Sequence, residues 1–205
     1  MKMKTKSFSL STAMFFLYIP LTFLGQVKVT FDYVENQELM DFFRFEKIDY
    51  IKISFSDKDL RNKTYQLSVK EIWDGEITKE RPIVNSKTMP FEHLKTVGDT
   101  IFNIRIISKL TNENKLRMDF IFPSFSTQTS FDATSSNIYS LRNVKGDGAF
   151  EYEKNNYLLV YMLPYEKDNM QYYCPVDSSG YEIEAWGKEF GIKHYLVFEM
   201  KFESL

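Results

Sequence analysis

Apolar and polar residues alternate in one segment of this chain after another. Segments 100–110 and 115–123 show the pattern most clearly, and polar residues 112–114 separate them. Side chains of a β-strand point alternately to its two faces, so each segment presents one apolar face. The pattern predicts antiparallel strands that bury one face in a shared core.

The alternation recurs along the rest of the chain. It is present at 26–34, 49–57, 64–77 and 193–202, while 157–164 is apolar throughout, as in a central strand covered on both sides. Phenylalanine (19) and tyrosine (13) are abundant and proline (6) is scarce, which favours strands.

Two predicted features interrupt or join the strands. Asp74–Gly75 is a favoured two-residue hairpin turn. The apolar phase slips between Val69 and Ile72, which predicts a bulge or bend near Lys70–Glu71. The Ser/Thr-rich stretch 124–137 is predicted as an edge strand or a surface loop.

The first of two short helices is predicted at about 36–46. Asn36 suits an N-cap, and Leu39, Phe42 and Phe43 fall at i, i+3 and i+4, which makes an apolar stripe.

The second helix is predicted at about 180–190. Ser179 and Glu182 have the spacing of a capping box, and Gly191 stands where a C-terminal cap belongs. Ile183, Trp186 and Phe190 are expected along its apolar side.

Together these patterns predict a mainly β protein, either an antiparallel sandwich or a partly closed barrel, with α+β as the alternative. Residues 26–205 are predicted to form a single β-rich domain, because the segment contains no flexible linker and no internal repeat.

The first 25 residues are predicted to be a signal peptide. Three lysines precede an apolar run of 12 residues (13–24), which is short for a membrane span. Cleavage after Gly25 leaves Gln26 as the mature start. We therefore expect an exported protein, periplasmic or extracellular, whose mature chain has no membrane span.

The charge of the chain disfavours nucleic acid as a partner. Its formal net charge is −2, and removal of residues 1–25 makes it more negative, because the segment contains lysines and no acidic residue. A mildly acidic surface has no electrostatic attraction for nucleic acid or anionic membranes.

Cys174 and His194 are the first candidates for catalysis. A cysteine nucleophile needs a nearby base or cationic surroundings. However, Cys174 alternates with Met170 and Tyr172 like a small core residue. His194 opens the apolar face of the last strand, where one ring nitrogen is expected to be bonded at the rim of the core. Both are predicted to be structural, and Cys174 is the only cysteine, so a disulfide through it would join two chains in a dimer.

No metal or other cofactor is expected. The two histidines, His93 and His194, are a hundred residues apart, and no zinc-binding spacing is present. Asp147, Glu151 and Glu153 are acidic but lack the spacing of a calcium-binding loop, so a plain turn is predicted.

The carboxylates of the second helix have structural explanations. Glu182 fits the capping box, and Glu184 is predicted to pair with Lys188 at i,i+4. Trp186 belongs to the apolar stripe. A carboxylate pair for glycan hydrolysis depends on three-dimensional spacing, so it stays open as an alternative.

Three segments resemble an uncharacterised family of secreted Bacteroidetes-type proteins. They are "VKEIWDGEI" (69–77), "YLLVYMLPYEKD" (157–168) and "YYCPVDSSGYEIEAWGKEFGIKHYLVFEMKF" (172–202). The resemblance implies export and supplies no catalytic residues.

The favoured function is an exported binding or structural protein without enzymatic activity, whose partner is a protein, a glycan or an envelope component. No catalytic, cofactor-binding or metal-binding residue is assigned. Two alternatives stay open. One is an extracellular hydrolase of glycans or peptides that uses a carboxylate pair or Cys174 and His194, and the other is an inhibitor of an extracellular enzyme.

Overall fold

The computed structural model describes residues 25–144, 146–168, 170–173 and 182–205. Two antiparallel sheets face each other across one apolar core. The prediction of a mainly β sandwich is therefore confirmed, and the alternative of a partly closed barrel is not what forms, since the two sheets remain separate.

Six strands form sheet A. In spatial order they are β7 (Ser126–Asp132), β6 (Lys115–Ile121), β5 (Ile101–Leu110), β2 (Ile48–Ser56), β1 (Gln26–Asp32) and β9 (Gly148–Glu151).

Five strands form sheet B. In spatial order they are β4 (Glu76–Asn85), β3 (Thr64–Trp73), β13 (His194–Glu203), β10 (Asn156–Met162) and β8 (Ser140–Asn143). A separate small hairpin joins β11 (Tyr165–Lys167) to β12 (Met170–Tyr172).

The described residues contain three short α-helices beside the sheets. They are α1 (Gln37–Glu46), α2 (Glu92–Lys95) and α3 (Trp186–Phe190), and single 3-10 turns precede α2 (Ser86–Thr88) and α3 (Ile183–Ala185). Both predicted helices are present, and α2 is an addition. Ser179 lies outside the described residues, so the predicted capping box stays a prediction, whereas Gly191 ends α3 in the left-handed conformation as predicted.

The strands bury alternate side chains in the core, as predicted. Ile51, Ile53 and Phe55 of β2 are buried towards sheet B. Strand β13 is the centre of sheet B and is buried on both faces. Sheet A covers one face, and residues 182–190, which we call the α3 segment, cover the other. The stretch 124–137 contains the edge strand β7.

The hairpin between β3 and β4 turns at Asp74 and Gly75 as predicted, with φ values of 49° and 80°. One of the two register irregularities between β3 and β4 falls between Glu71 and Ile72, where the extra residue, Thr78, belongs to β4. Strand β3 itself keeps a regular register with β13, so a bulge in β3 does not explain the phase slip. Ile72 is buried because it faces the side of sheet B that the α3 segment covers.

Two glycines bring the backbones of that turn and α3 together. A Cβ atom on Gly187 would lie 2.6 Å from the Cα atom of Gly75 and 2.8 Å from its nitrogen. We therefore expect Gly187→Ala to lower the free energy of unfolding by about 1–3 kcal/mol, despite the better helix propensity of alanine. Urea unfolding measures this effect, and Gly98→Ala is the control, because a Cβ atom there meets nothing within 4 Å. Equal stability of the two variants would contradict the close contact.

Candidate binding surface

Helix α1 is capped at both ends by the residues that flank it. The Asn36 side chain accepts a hydrogen bond from the backbone N–H of Leu39 at 2.9 Å, as predicted for an N-cap. Lys47 ends the helix in the left-handed conformation, and its N–H donates to the carbonyls of Phe43 and Arg44.

The helix is attached to sheet A by few contacts. The Phe43 ring stacks on Tyr50 of β2 with ring centroids 5.8 Å apart. The ammonium of Lys109 on β5 lies 2.8 Å from the carboxylate of Glu46. None of the ten residues of α1 is fully buried, so the helix lies on the sandwich without contributing to its core.

The outward side of α1 is apolar. Phe45 is 82% exposed, Phe42 is 54% exposed and Leu39 is 42% exposed. Tyr33 is exposed beside them and donates from its hydroxyl to the Asn143 side chain at 2.9 Å. We call these four residues, Tyr33, Leu39, Phe42 and Phe45, the aromatic surface.

The predicted apolar stripe of α1 is divided between the sheet and the exposed side of the helix. Of Leu39, Phe42 and Phe43, only Phe43 turns towards the sheet. Phe45 and Met40 do not belong to that stripe, and they were the signal in the sequence that α1 has apolar residues on more than one side. A helix with phenylalanines on two sides cannot bury all of them against one sheet.

A groove of about 580 Å³ runs between the aromatic surface and the outer face of sheet A. Tyr33, Leu39, Phe43 and Tyr50 supply its apolar wall. Glu35 lies at its rim, and neither Glu35 nor Glu38 forms an ion pair with any residue that the structure describes. The surroundings of the aromatic surface are therefore mildly acidic.

His194 occupies the position that the sequence predicts, although it lies deeper. Its ring is fully buried, stacks on Trp73 with centroids 3.9 Å apart, and has Nδ1 2.6 Å from the Tyr139 hydroxyl. Burial lowers its pKa to about 4, against a small opposing effect of Asp132. Because its imidazole is neutral and solvent does not reach it, His194 fits a structural role in the core. Cys174 lies outside the described residues, so its predicted roles, the dimer included, stay predictions.

The predicted pairing of Glu184 with Lys188 is wrong. Lys188 lies 2.7 Å from Glu76 at the β3–β4 turn. Glu184 instead bonds the ammonium of Lys70 at 2.8 Å and accepts from the Tyr157 hydroxyl at 2.6 Å. The α3 segment packs flat on sheet B, and this brings Glu184 over strand β3.

Lys70 joins two carboxylates. Its ammonium also lies 2.8 Å from Glu199 of β13, which is buried. Burial alone would raise the pKa of Glu184, but the bonds from Lys70 and Tyr157 outweigh it and lower that pKa. A catalytic acid needs a raised pKa, so the triad of Lys70, Glu184 and Glu199 fits a structural role. It attaches the α3 segment to the sheet.

The other predicted residues also have structural partners. Ile183 and Trp186 are buried on the side of the α3 segment that faces sheet B, as the apolar stripe predicts. Asp147 accepts a hydrogen bond from the backbone N–H of Phe31 at 3.0 Å. His93 stacks on Phe91. Across the described ranges, no group of three or more histidine, cysteine or acidic residues is placed to hold a metal ion.

Asp49 is a titratable residue that the sequence patterns did not single out. It begins the alternation that Ile51 continues, so its side chain turns towards sheet B. Burial raises its pKa from 3.8 to about 6, against the lowering effects of the Leu141 N–H, the Arg142 charge and the Tyr161 hydroxyl. The sequence did contain a signal for this site, because Asp49 stands two residues before Ile51 and therefore lies on the same face of the strand as the core residues.

The fold and these contacts define an antiparallel β-sandwich with an exposed aromatic surface on its first helix. Comparison of the chain with protein-family models, with curated proteins and with solved structures gave no match. The resemblance to secreted Bacteroidetes-type proteins therefore stays a prediction. Among the described helices, none has the length and apolar character needed to cross a bilayer.

Proposed function

We propose that this protein is an exported binding module without enzymatic activity, and that it docks a protein partner through the aromatic surface. The observation that carries the proposal is the exposure of Phe42 and Phe45 on a helix that packs by its opposite side. Large apolar side chains exposed together mark interaction sites, and aromatic residues are enriched at the centres of interfaces.

The chemistry of the surface favours a protein over a glycan or a membrane. Phe42, Phe45 and Leu39 have no polar side-chain atoms, whereas a glycan needs hydrogen-bonding groups to orient it. Glu35 and Glu38, which pair with no cation among the described residues, disfavour an anionic lipid surface. A partner with an apolar centre and a basic rim fits best. An extracellular enzyme held inactive by this protein would be one such partner.

Export is proposed from the sequence. The lysines at the start and the apolar run of 12 residues at 13–24 have the order of a signal peptide. The chain has one cysteine, so its stability in an oxidising compartment rests on its core.

Site-specific photocrosslinking tests the docking surface. A photoreactive phenylalanine analogue at position 45, in protein produced in its native host, should give a discrete adduct with a partner. The matched control carries the analogue at Phe91, which is 60% exposed on the connection before α2. We expect no such adduct from position 91, and identical adducts from both positions would contradict the proposal.

A second variant shows that the surface itself binds. Phe42→Ser, with the analogue kept at position 45, should reduce the adduct at least about fivefold, because a central aromatic contact contributes about 1–2 kcal/mol or more. Its free energy of unfolding should change by less than about 0.5 kcal/mol, since Phe42 is exposed. An undiminished adduct would rule the aromatic surface out.

A further inference from the structure

Strand β7 forms one lateral edge of sheet A. Its seven residues pair with β6 in regular register from Ser126 to Asp132. The sequence, STQTSFD, contains no proline and only one charged residue, Asp132, which is ion-paired with Lys115.

The hydrogen-bonding pattern shows which backbone groups of β7 face outward. The N–H of Phe122 donates to the carbonyl of Phe125 at 2.8 Å, and the N–H of Ala133 donates to the carbonyl of Asn114 at 2.9 Å. Antiparallel pairs alternate between bonded and non-bonded, so the odd-numbered residues of β7 bond to β6. The even-numbered residues direct their N–H and C=O groups to the open side, and these are Ser126, Gln128, Ser130 and Asp132.

The other sheet edges carry features that discourage strand pairing. Strand β4 contains Pro82, two register irregularities and the charged run Lys79, Glu80 and Arg81. Strands β8 and β9 have only four residues each. Proline, bulges, charges and shortness are the usual means by which proteins block edge pairing. In the described part of the two sheets, β7 is the long edge without any of them.

Strand β7 is also held in position. The Arg81 guanidinium of β4 donates to the Thr129 hydroxyl at 3.0 Å and lies 5.0 Å from the centroid of the Phe131 ring. These contacts fix the strand from its inner face, and among the described residues no further backbone hydrogen bond reaches its open side, so a pairing strand meets an ordered template.

We propose that β7 pairs with β7 of a second copy of this chain, antiparallel and centred on Thr129. In this register Gln128 lies opposite Ser130 of the second copy. The backbone N–H and C=O groups of both residues then face each other. The register also opposes Asp132 to Ser126 of the second copy, so no like charges meet. The two copies of sheet A then become one continuous sheet across a two-fold axis. The proposal does not depend on the aromatic surface, which lies on α1.

The mass of the purified protein in solution, measured by light scattering, is the first test. We expect twice the chain mass for the parent. Gln128→Lys with Ser130→Lys opposes lysines across the interface and should halve the mass, whereas Gln128→Glu with Ser130→Lys opposes unlike charges and should keep the dimer. A monomeric parent, or equal behaviour of the two double variants, would overturn the proposal.

Disulfide trapping tests the register independently of affinity. In a Cys174→Ser background, Thr129→Cys places the two introduced thiols in a non-hydrogen-bonded pair, where Cα atoms about 4.5 Å apart suit a disulfide. Thr127→Cys is the control, because residue 127 lies opposite residue 131. We expect oxidation to link the position-129 variant into a covalent dimer and to leave the control monomeric, and any other result contradicts the register.

Discussion

Replacing Lys70 by methionine is expected to lower the free energy of unfolding at pH 7 by about 3–5 kcal/mol. The Lys70 ammonium lies 2.8 Å from both Glu184 and Glu199. Its removal leaves two neighbouring carboxylates without their cation, and Glu199 is buried where water cannot replace it. Urea unfolding at pH 7 measures the loss.

Neutral partners and acid should both relieve this loss. The triple variant Lys70→Met, Glu184→Gln, Glu199→Gln should recover most of the stability, because amides need no counterion. In Lys70→Met alone the cation that lowers the pKa of Glu184 is missing, while burial still raises that pKa, so the penalty is fully present at neutral pH and fades as the pH falls towards 4. A deficit as large at pH 4 as at pH 7 would contradict the role assigned to the triad.

Replacing Asp49 by asparagine is expected to raise the free energy of unfolding at pH 7 by up to about 3 kcal/mol. Burial raises the pKa of Asp49 from 3.8 to about 6, and a difference of about two pH units between folded and unfolded pKa values corresponds to about 3 kcal/mol. Above pH 6 the folded state holds this carboxylate charged at a cost, which asparagine removes. Below about pH 3.8 the aspartic acid is neutral in both states, so parent and variant should converge.

His194 gives the opposite dependence on pH. Its folded-state pKa of about 4 lies below the ordinary 6.5, so between these values only the unfolded chain binds the proton. Acidification from pH 6.5 to 4 therefore costs about 3 kcal/mol through His194. In the parent, Asp49 offsets this slope between about pH 4 and 6. In Asp49→Asn, the loss of stability that His194 causes on acidification is no longer offset.

Urea unfolding at pH 7, 6, 5 and 4 separates the two groups. The stability difference between Asp49→Asn and the parent should shrink steadily as the pH falls. Adding His194→Gln to Asp49→Asn should flatten the remaining slope, because glutamine does not titrate. A difference between Asp49→Asn and the parent that stays constant from pH 7 to 4 would show that Asp49 does not titrate as its burial requires.

The sequence predicted the local structure well, because local structure depends on nearby residues. The alternation placed the long strands other than β4, of which only the first residues were predicted, Asp74–Gly75 marked a tight hairpin turn, and Asn36 marked the start of α1. The short strands, such as β8 and β9, were not separated from loops, since four residues are too few to establish a period of two.

The contacts that determine the site were not predictable in the same way. Lys70 and Glu184 are 114 residues apart, and only the order of strands in sheet B brings them together. The i,i+4 rule therefore assigned Glu184 to the wrong lysine. Likewise, the sequence did not predict which part of the stripe on α1 faces the sheet, because periodicity gives the direction of a face relative to its own helix, not to a neighbouring sheet.

The central place of β13 in sheet B constrains when this protein can fold. Strand β13 joins β3 to β10, and Glu203 pairs with Thr64 at one end of the β3–β13 ladder. The sheet cannot close until residue 203 has emerged, about ten seconds or more after β3 at ordinary rates of synthesis. Such long-range pairing is slow to form. The nascent chain thus lacks the centre of one sheet throughout most of its synthesis, which is compatible with the proposed export of the chain before it folds.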